Sequence, residues 1–216
     1  MNPVDITLYG IIDPDRCQGR SLAELAFASV ENGVTLIQLR DKTSNIHQMI
    51  DNAKNIKKAL EGTGVPLIIN DRVDVALAAD AQGVHLGQQD MRVEDARKVL
   101  GTDAIIGLSI KTIHEAKNCP VEMLDYAFVG GVFQTQSKDN PTAIGIDGWV
   151  ERANLIKNLE PDLPIGAIAG IDQSNIASLF KAGCDGVAII SALYMADDVA
   201  TSTKTIAKII QGVKYD

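Results

Sequence analysis

A chain of 216 residues with 20 Lys and Arg against 28 Asp and Glu, net charge −8, has the size of one domain and the wrong sign for spreading over a polyanion. At 46% hydrophobic and 22% charged residues it has enough apolar mass for a core and too much for a disordered chain. No apolar run is long enough to cross a bilayer, and Met1 to Ile12 lack the basic flank and cleavage pattern of a secretion signal, so a cytoplasmic protein without nucleic-acid or membrane partners is expected.

In chain order, a β-rich run at Thr7 to Ile12 precedes Leu22, Leu25, Ala26, Ser29 and Val30 at helical spacing. Val34 to Leu39 reads as a second strand, and Ile46, Met49, Ile50, Ala53, Ile56 and Leu60 form one helix face. Further strands are expected at Pro66 to Asn70, Gly83 to Leu86, Ala104 to Ser109, Tyr126 to Gly130, Ile165 to Ala169 and Gly186 to Ile190. Helical patterns follow them at Val73 to Ala79, Val93 to Leu100, Thr112 to Asn118, Gly148 to Leu159, Gln173 to Ala182 and Asp197 to Gln211. Eight such units of about 27 residues leave no room for a linker, so residues 1–216 are read as one domain. Strands this apolar are covered on both faces, and eight consecutive βα units predict a single-domain (βα)8 TIM barrel with eight parallel strands. An open doubly wound sheet is the alternative.

Cys17, Cys119 and Cys184 are odd in number and far apart, and His47, His85 and His114 form no helical metal pair, so neither a disulfide framework nor a zinc site is expected. Barrel chemistry is built at the carboxyl ends of the strands, and polar residues stand at nearly every one. A period of two places Leu36, Gln38 and Arg40 on one strand face, with Asp41 and Lys42 following. Buried there, Arg40 needs either a bound anion or an acidic neighbour in a structural ion pair. Asp71, after the third strand, either caps the helix at Val73 or joins Asp90, after the fourth, in a carboxylate pair. Two carboxylates without a His or Cys cluster suit Mg²⁺, which shares its coordination with water and phosphate oxygens. A diphosphate substrate fits that pair, with Arg40, Lys42 and Lys138 taking the remaining oxygens.

The polar stretch from Gly130 to Gly145 offers Thr135 and Ser137 hydroxyls and the Lys138 cation, as a functional loop or a solvated one. Ala167 to Ile171 and Ala188 to Ala192 end the last two strands, where backbone N–H groups bind phosphate in many barrels or small residues ease packing. His85 reads as a hydrogen-bonded core histidine, and Trp149 and Phe133 as packing residues, with Phe133 near enough to wall the site.

The ordered set Gln38-Leu39-Arg40-Asp41-Lys42, Asn70-Asp71-Arg72-Val73-Asp74, Gly83 through Asp90, Gly107-Leu108-Ser109, Val132 through Lys138, Ala169-Gly170-Ile171 and Gly186 through Ser191 closely resembles the thiamine-phosphate synthase family. The resemblance implies a TIM barrel that joins a hydroxymethylpyrimidine diphosphate to a hydroxyethylthiazole phosphate with Mg²⁺, giving thiamine monophosphate and pyrophosphate by dissociative substitution through a pyrimidine methylene cation. It further implies that Gln38, Arg40, Lys42, Asn70, Ser109 and Lys138 hold the pyrimidine diphosphate, with Leu39 and Asp41 counted in the same motif. Asp71 and Asp90 would ligate the metal, and Thr135, Gln136, Ser137, Gly170, Ile190 and Ser191 would bind the thiazole phosphate. Arg40, Lys42 and Lys138 become the catalytic cations. The chain departs from the family pattern at Asp41 for Glu, Gly131 and Gln134 for prolines, Ser137 for Thr, Ala169 for the first glycine of a pair and Leu193 for Ile. The competing readings are a thiazole tautomerase, which has no diphosphate to bind, and a silent barrel that only carries a thiazole or thiamine phosphate. Small-molecule substrates are the expected partners, with self-association as a candidate.

Overall fold

Each strand is short, and its side chains divide between two cores. The computed structural model describes residues 4–134 and 143–214. The strands are β1 (Leu8–Ile12), β2 (Leu36–Leu39), β3 (Leu67–Asn70), β4 (Gly83–Leu86), β5 (Ile105–Ile110), β6 (Tyr126–Val129), β7 (Ile165–Ile168) and β8 (Gly186–Ile189). All pair in parallel with their chain neighbours, and β8 returns to β1 to close the barrel. The open-sheet alternative is thereby excluded.

Period two explains the two cores. Tyr9, Ile11, Leu36, Ile68, Tyr126, Phe128 and Ala188 point inward and fill the barrel, while Ile12, Ile37, Leu39, Leu67, Ile69 and Val84 point outward into the helical layer. That layer comprises α1 (Leu22–Val30), α2 (Ile46–Ala59), α3 (Val73–Ala79), α4 (Val93–Leu100), α5 (Ile113–Lys117), α6 (Gly145–Lys157), α7 (Ile176–Lys181), α8 (Ser191–Tyr194) and α9 (Val199–Lys214). Side-chain caps start several of them: Ser21 accepts from the Glu24 amide, Asn45 from the Gln48 amide, and Thr112 with Glu115 forms a full capping box.

One difference from the sequence pattern stands after β8, where Ser191–Tyr194 folds as a separate turn of helix before α9. Tyr194 explains it: its buried hydroxyl bonds Ser29 Oγ at 3.0 Å, and the Arg20 guanidinium gathers the Tyr194 and Ala196 carbonyls. The polypeptide therefore stops and turns before it resumes as α9. Among the described residues no helix is long and apolar enough to cross a membrane.

Candidate active site

Above the aromatic layer of the barrel, at the carboxyl ends of the strands, a cavity of about 260 Å³ opens. Its inner wall is polar on one side, with Gln38 from β2, Asn70 from β3, His85 from β4 and Ser109 from β5, and apolar on the other, with Ile11, Phe128 and Ile168. Gly130, Gly131, Ala169, Gly170, Ile190 and Ser191 close the side below the β6, β7 and β8 loops. Strand register accounts for the polar set: Gln38 lies beside Ile68, Asn70 beside His85 and His85 beside Gly107, so inward residues of neighbouring strands line up in one ring.

Arg40 reaches the cavity and pairs with Asp13, whose side chain is only 5% exposed against 21% for Arg40. The acidic neighbour expected for a structural ion pair therefore exists, yet the guanidinium still borders the cavity, because one carboxylate leaves N–H groups of the guanidinium free to bind an anion. Lys42 pairs with Asp71. The Asp71 carboxyl also lies within hydrogen-bonding contact of Asp90. Burial and, secondarily, the nearby Asp71 carboxyl raise the Asp90 pKa above the usual carboxylate range, against the opposing pull of the Gly87 amide, which donates to Asp90 Oδ2 at 2.7 Å.

Asp71 gains this position at a backbone cost. Its φ is +60°, a left-handed conformation uncommon for a residue with a side chain, and its amide donates to the His85 carbonyl at 2.9 Å. It does not cap α3: the N-cap there is Arg72, with no side-chain cap bond. The turn instead aims Asp71 sideways at Lys42 and Asp90. Ala169, standing where the family has glycine, is held at φ +90° on the cavity wall, with its carbonyl accepting from the Phe133 amide at 3.1 Å.

Lys42, Asp71 and Asp90 do not line the cavity itself, and two further members of the Gln38 to Lys42 motif turn their side chains elsewhere. Leu39 packs outward among the helices, leaving only its backbone toward the site. Asp41 is buried as a loop brace: Oδ1 accepts from the Thr43 and Ser44 amides, and Oδ2 from Asn52 on α2. Alternation splits a contiguous motif between two faces, which separates these two from their neighbours Gln38 and Arg40. Gly170, Ile190 and Ser191 line the cavity as expected. Thr135, Gln136, Ser137 and Lys138 lie outside the described residues.

The family model described as TMP-TENI, thiamine monophosphate synthase, matches residues 8–193, from the first strand to the turn after the last. The chain belongs to the thiamine monophosphate synthase family. A thiamine-phosphate synthase of Agrobacterium fabrum is 48% identical over 94% of this chain and 93% of its own length, and one of Chloroflexus aurantiacus is 39% identical over 96% and 94%. The solved thiamine phosphate pyrophosphorylase of Pyrococcus furiosus superposes with a TM-score of 0.85 at 32% identity, covering 97% of this chain and 98% of that one. As a member of this family, the chain is a transferase of thiamine biosynthesis with the activity of a thiamine-phosphate synthase.

Sequence reasoning missed several parts of this synthase's cavity. Tyr9 and Lys111 line it. Tyr9 looks like ordinary strand filling, and only the closed barrel places it at its centre. Lys111 follows Ser109 by two residues, the same inward spacing that selected Arg40 after Gln38, and that period was the available signal. His85 is a hydrogen-bonded core histidine as expected, bonded to Ser109 Oγ at 2.8 Å, but it also forms part of the cavity wall.

Proposed function

We propose that this synthase joins 4-amino-2-methyl-5-hydroxymethylpyrimidine diphosphate to 4-methyl-5-(2-hydroxyethyl)thiazole phosphate, releasing pyrophosphate, by a Mg²⁺-dependent dissociative substitution. The observation that carries the reading is the convergence of Lys42, Asp71 and Asp90 at the carboxyl ends of β2, β3 and β4, whose inward residues Gln38, Asn70 and His85, with Arg40, line the cavity. Two carboxylates in contact repel, and a divalent cation between them removes that cost, so the donor set fits a hard, oxygen-preferring metal. Asp71 and Asp90 would hold Mg²⁺, and the ion when bound supplies positive charge to the departing diphosphate.

The chain's own residues do the rest. Arg40 and Lys42, with Lys138 from the β6 loop, take the diphosphate oxygens and stabilise the charge that grows on them as the carbon–oxygen bond breaks. Gln38, Asn70 and Ser109 hold the aminopyrimidine by its hydrogen-bonding edges. The methylene cation left behind is stabilised by the ring amino group, so no protein nucleophile is needed. Ile11, Phe128 and Ile168 keep water from that carbon until the thiazole nitrogen captures it. Gly170, Ile190 and Ser191, with Thr135, Gln136 and Ser137, hold the thiazole phosphate on the opposite side.

The test is pyrophosphate release from the two substrates together. Release is expected with Mg²⁺ and both substrates, and is expected to vanish with EDTA or when either substrate is omitted. Conversion of the thiazole alone would mark a tautomerase, and binding without turnover a silent carrier; either result overturns the proposal. Cytoplasmic location and self-association of the barrel belong to the same reading.

A further inference from the structure

The polar wall of the cavity continues downward into the barrel as a file of hydrogen bonds. Gln38 Nε2 donates to the Tyr9 hydroxyl at 2.6 Å, the Tyr9 and Tyr126 hydroxyls meet at 2.9 Å, Tyr126 lies 3.3 Å from His85 Nδ1, and His85 Nε2 lies 2.8 Å from Ser109 Oγ. Both tyrosines are completely buried, and Tyr126, unlike the other four residues, does not line the cavity. The file spans the barrel because of one small residue. His85, Gly107 and Tyr126 are in register on β4, β5 and β6, and a Cβ on Gly107 would stand 2.2 Å from the Tyr126 ring. With no side chain between them, His85 and Tyr126 stack, their ring centroids 5.6 Å apart and 22° from parallel.

Counting protons gives the file a direction. An amide nitrogen has no lone pair to offer and a buried phenol needs an acceptor for its proton, so Tyr9, which accepts from Gln38, sends its own proton to Tyr126. Tyr126 then donates to His85 Nδ1, and a neutral imidazole that accepts at Nδ1 carries its proton on Nε2. Burial pushes both phenols far above their ordinary pKa, which keeps both protons in place for donation.

We infer that Tyr126 is a positioning residue of this synthase: its hydroxyl fixes His85 as the Nε2–H tautomer, so that Ser109 accepts from His85 and turns its own proton toward an acceptor atom of the substrate. The inference rests on the reading of Ser109 as a residue that holds the pyrimidine diphosphate. Without the Tyr126 hydroxyl, the proton that holds Nδ1 as an acceptor is lost, and in the other tautomer Ser109 spends its proton on Nε2 instead of on the substrate. Such a residue acts without touching substrate, from behind the wall.

The experiment is ¹⁵N NMR of the His85 ring in the intact protein, combined with steady-state rates. The wild type is expected to show a pyridine-type Nδ1 and a pyrrole-type Nε2, while Tyr126→Phe, which keeps the stacked ring, is expected to show mixed tautomers. In the rate assay Tyr126→Phe is expected to lower kcat by about 3–10-fold and Ser109→Ala by about 100-fold, the low end for a lost donor to the transition state. Added to Ser109→Ala, Tyr126→Phe is expected to cost nothing further, because the two act in one chain. A protonated Nδ1 in the wild type overturns the inference without recourse to any variant. Full activity of Tyr126→Phe beside an impaired Ser109→Ala also overturns it, alone. Full activity of Ser109→Ala overturns both the inference and the reading of the site on which it rests.

Discussion

Asp90 sits where its own charge is unwelcome: burial disfavours its ionised form first, and the facing Asp71 carboxyl adds to the effect. Natural chains tolerate such pairs where a cation or proton resolves the conflict, so neutralising one member separates stability from function. Asp90→Asn retains an oxygen for the Gly87 amide but removes the repulsion. Its melting temperature without divalent ions is expected to equal or exceed that of the parent. Its apparent Mg²⁺ affinity in the pyrophosphate assay should fall by at least about 10-fold, a scale that even changes outside the ligand shell reach. A variant that melts lower and still responds normally to Mg²⁺ would refute the carboxylate pair as a metal site. At this scale the sequence was informative wherever a polar residue stood at a strand end, as with Asp71, Asp90 and Arg40. Leu39 and Asp41 enter only through the family motif, and their side chains turn to the helical layer and to the loop after β2, in keeping with the alternation along β2. Tyr126 was hidden for another reason: its hydrogen-bond partners, Tyr9 on β1 and His85 on β4, come from two other strands, so no local pattern links them.

Elements follow their signals more closely than residues do. The apolar runs that read as strands are all strands, and of the α2 face predicted by period 3.6, Met49, Ala53 and Ile56 are buried, Ile50 is partly so, and Ile46 at the start of the helix stays exposed. The boundaries move where tertiary contacts decide them: α6 begins at Gly145, where the Ile144 and Gly145 amides donate to the Gly131 and Val132 carbonyls. A missing side chain can matter as much to an element as a present one. On β7, Gly166 lies in register with Phe128, and a Cβ there would come within 2.2 Å of the Phe128 ring, while Trp149 on α6 donates to the Gly166 carbonyl at 3.1 Å from the other side. The strand is held between a ring inside the barrel and an indole outside it, with no room to retreat. Gly166→Ala is therefore expected to cost about 1–3 kcal/mol by overpacking, lowering the melting temperature by about 2–4 °C for each kcal/mol. Because Phe128 walls the cavity, KM for a substrate should rise with it. Calorimetry together with the pyrophosphate assay checks both, and an unchanged melting temperature would mean the ring moves aside freely.

The whole molecule is closed by the pairing of β1 with β8, which joins the first unit to the last, and by Lys214 near the end of the chain donating to Thr7. Such a ring has no free edge at which to open by degrees, so its sectors should lose structure together. The three cysteines sample the ring at separate places: Cys17 after β1, Cys119 after α5 and Cys184 before β8, all free and all buried in the helix-facing core. Burial pushes their thiols up, Cys17 to about 11 and Cys119 and Cys184 to about 12. A group with a pKa near 11 at pH 8 is ionised to about one part in a thousand, and only the thiolate attacks a disulfide reagent. The native protein is therefore expected to resist an aromatic disulfide reagent at pH 8 for as long as the barrel stays shut, and to release three equivalents of thiol reaction once unfolded in guanidinium. If closure is cooperative, the denaturant dependence of labelling will be the same at all three sites, measured by mass spectrometry of quenched samples. Cys17 or Cys184 reacting at lower denaturant than Cys119 would place the weak point of the ring at the seam between β8 and β1, and would show that closure there is a local and reversible event.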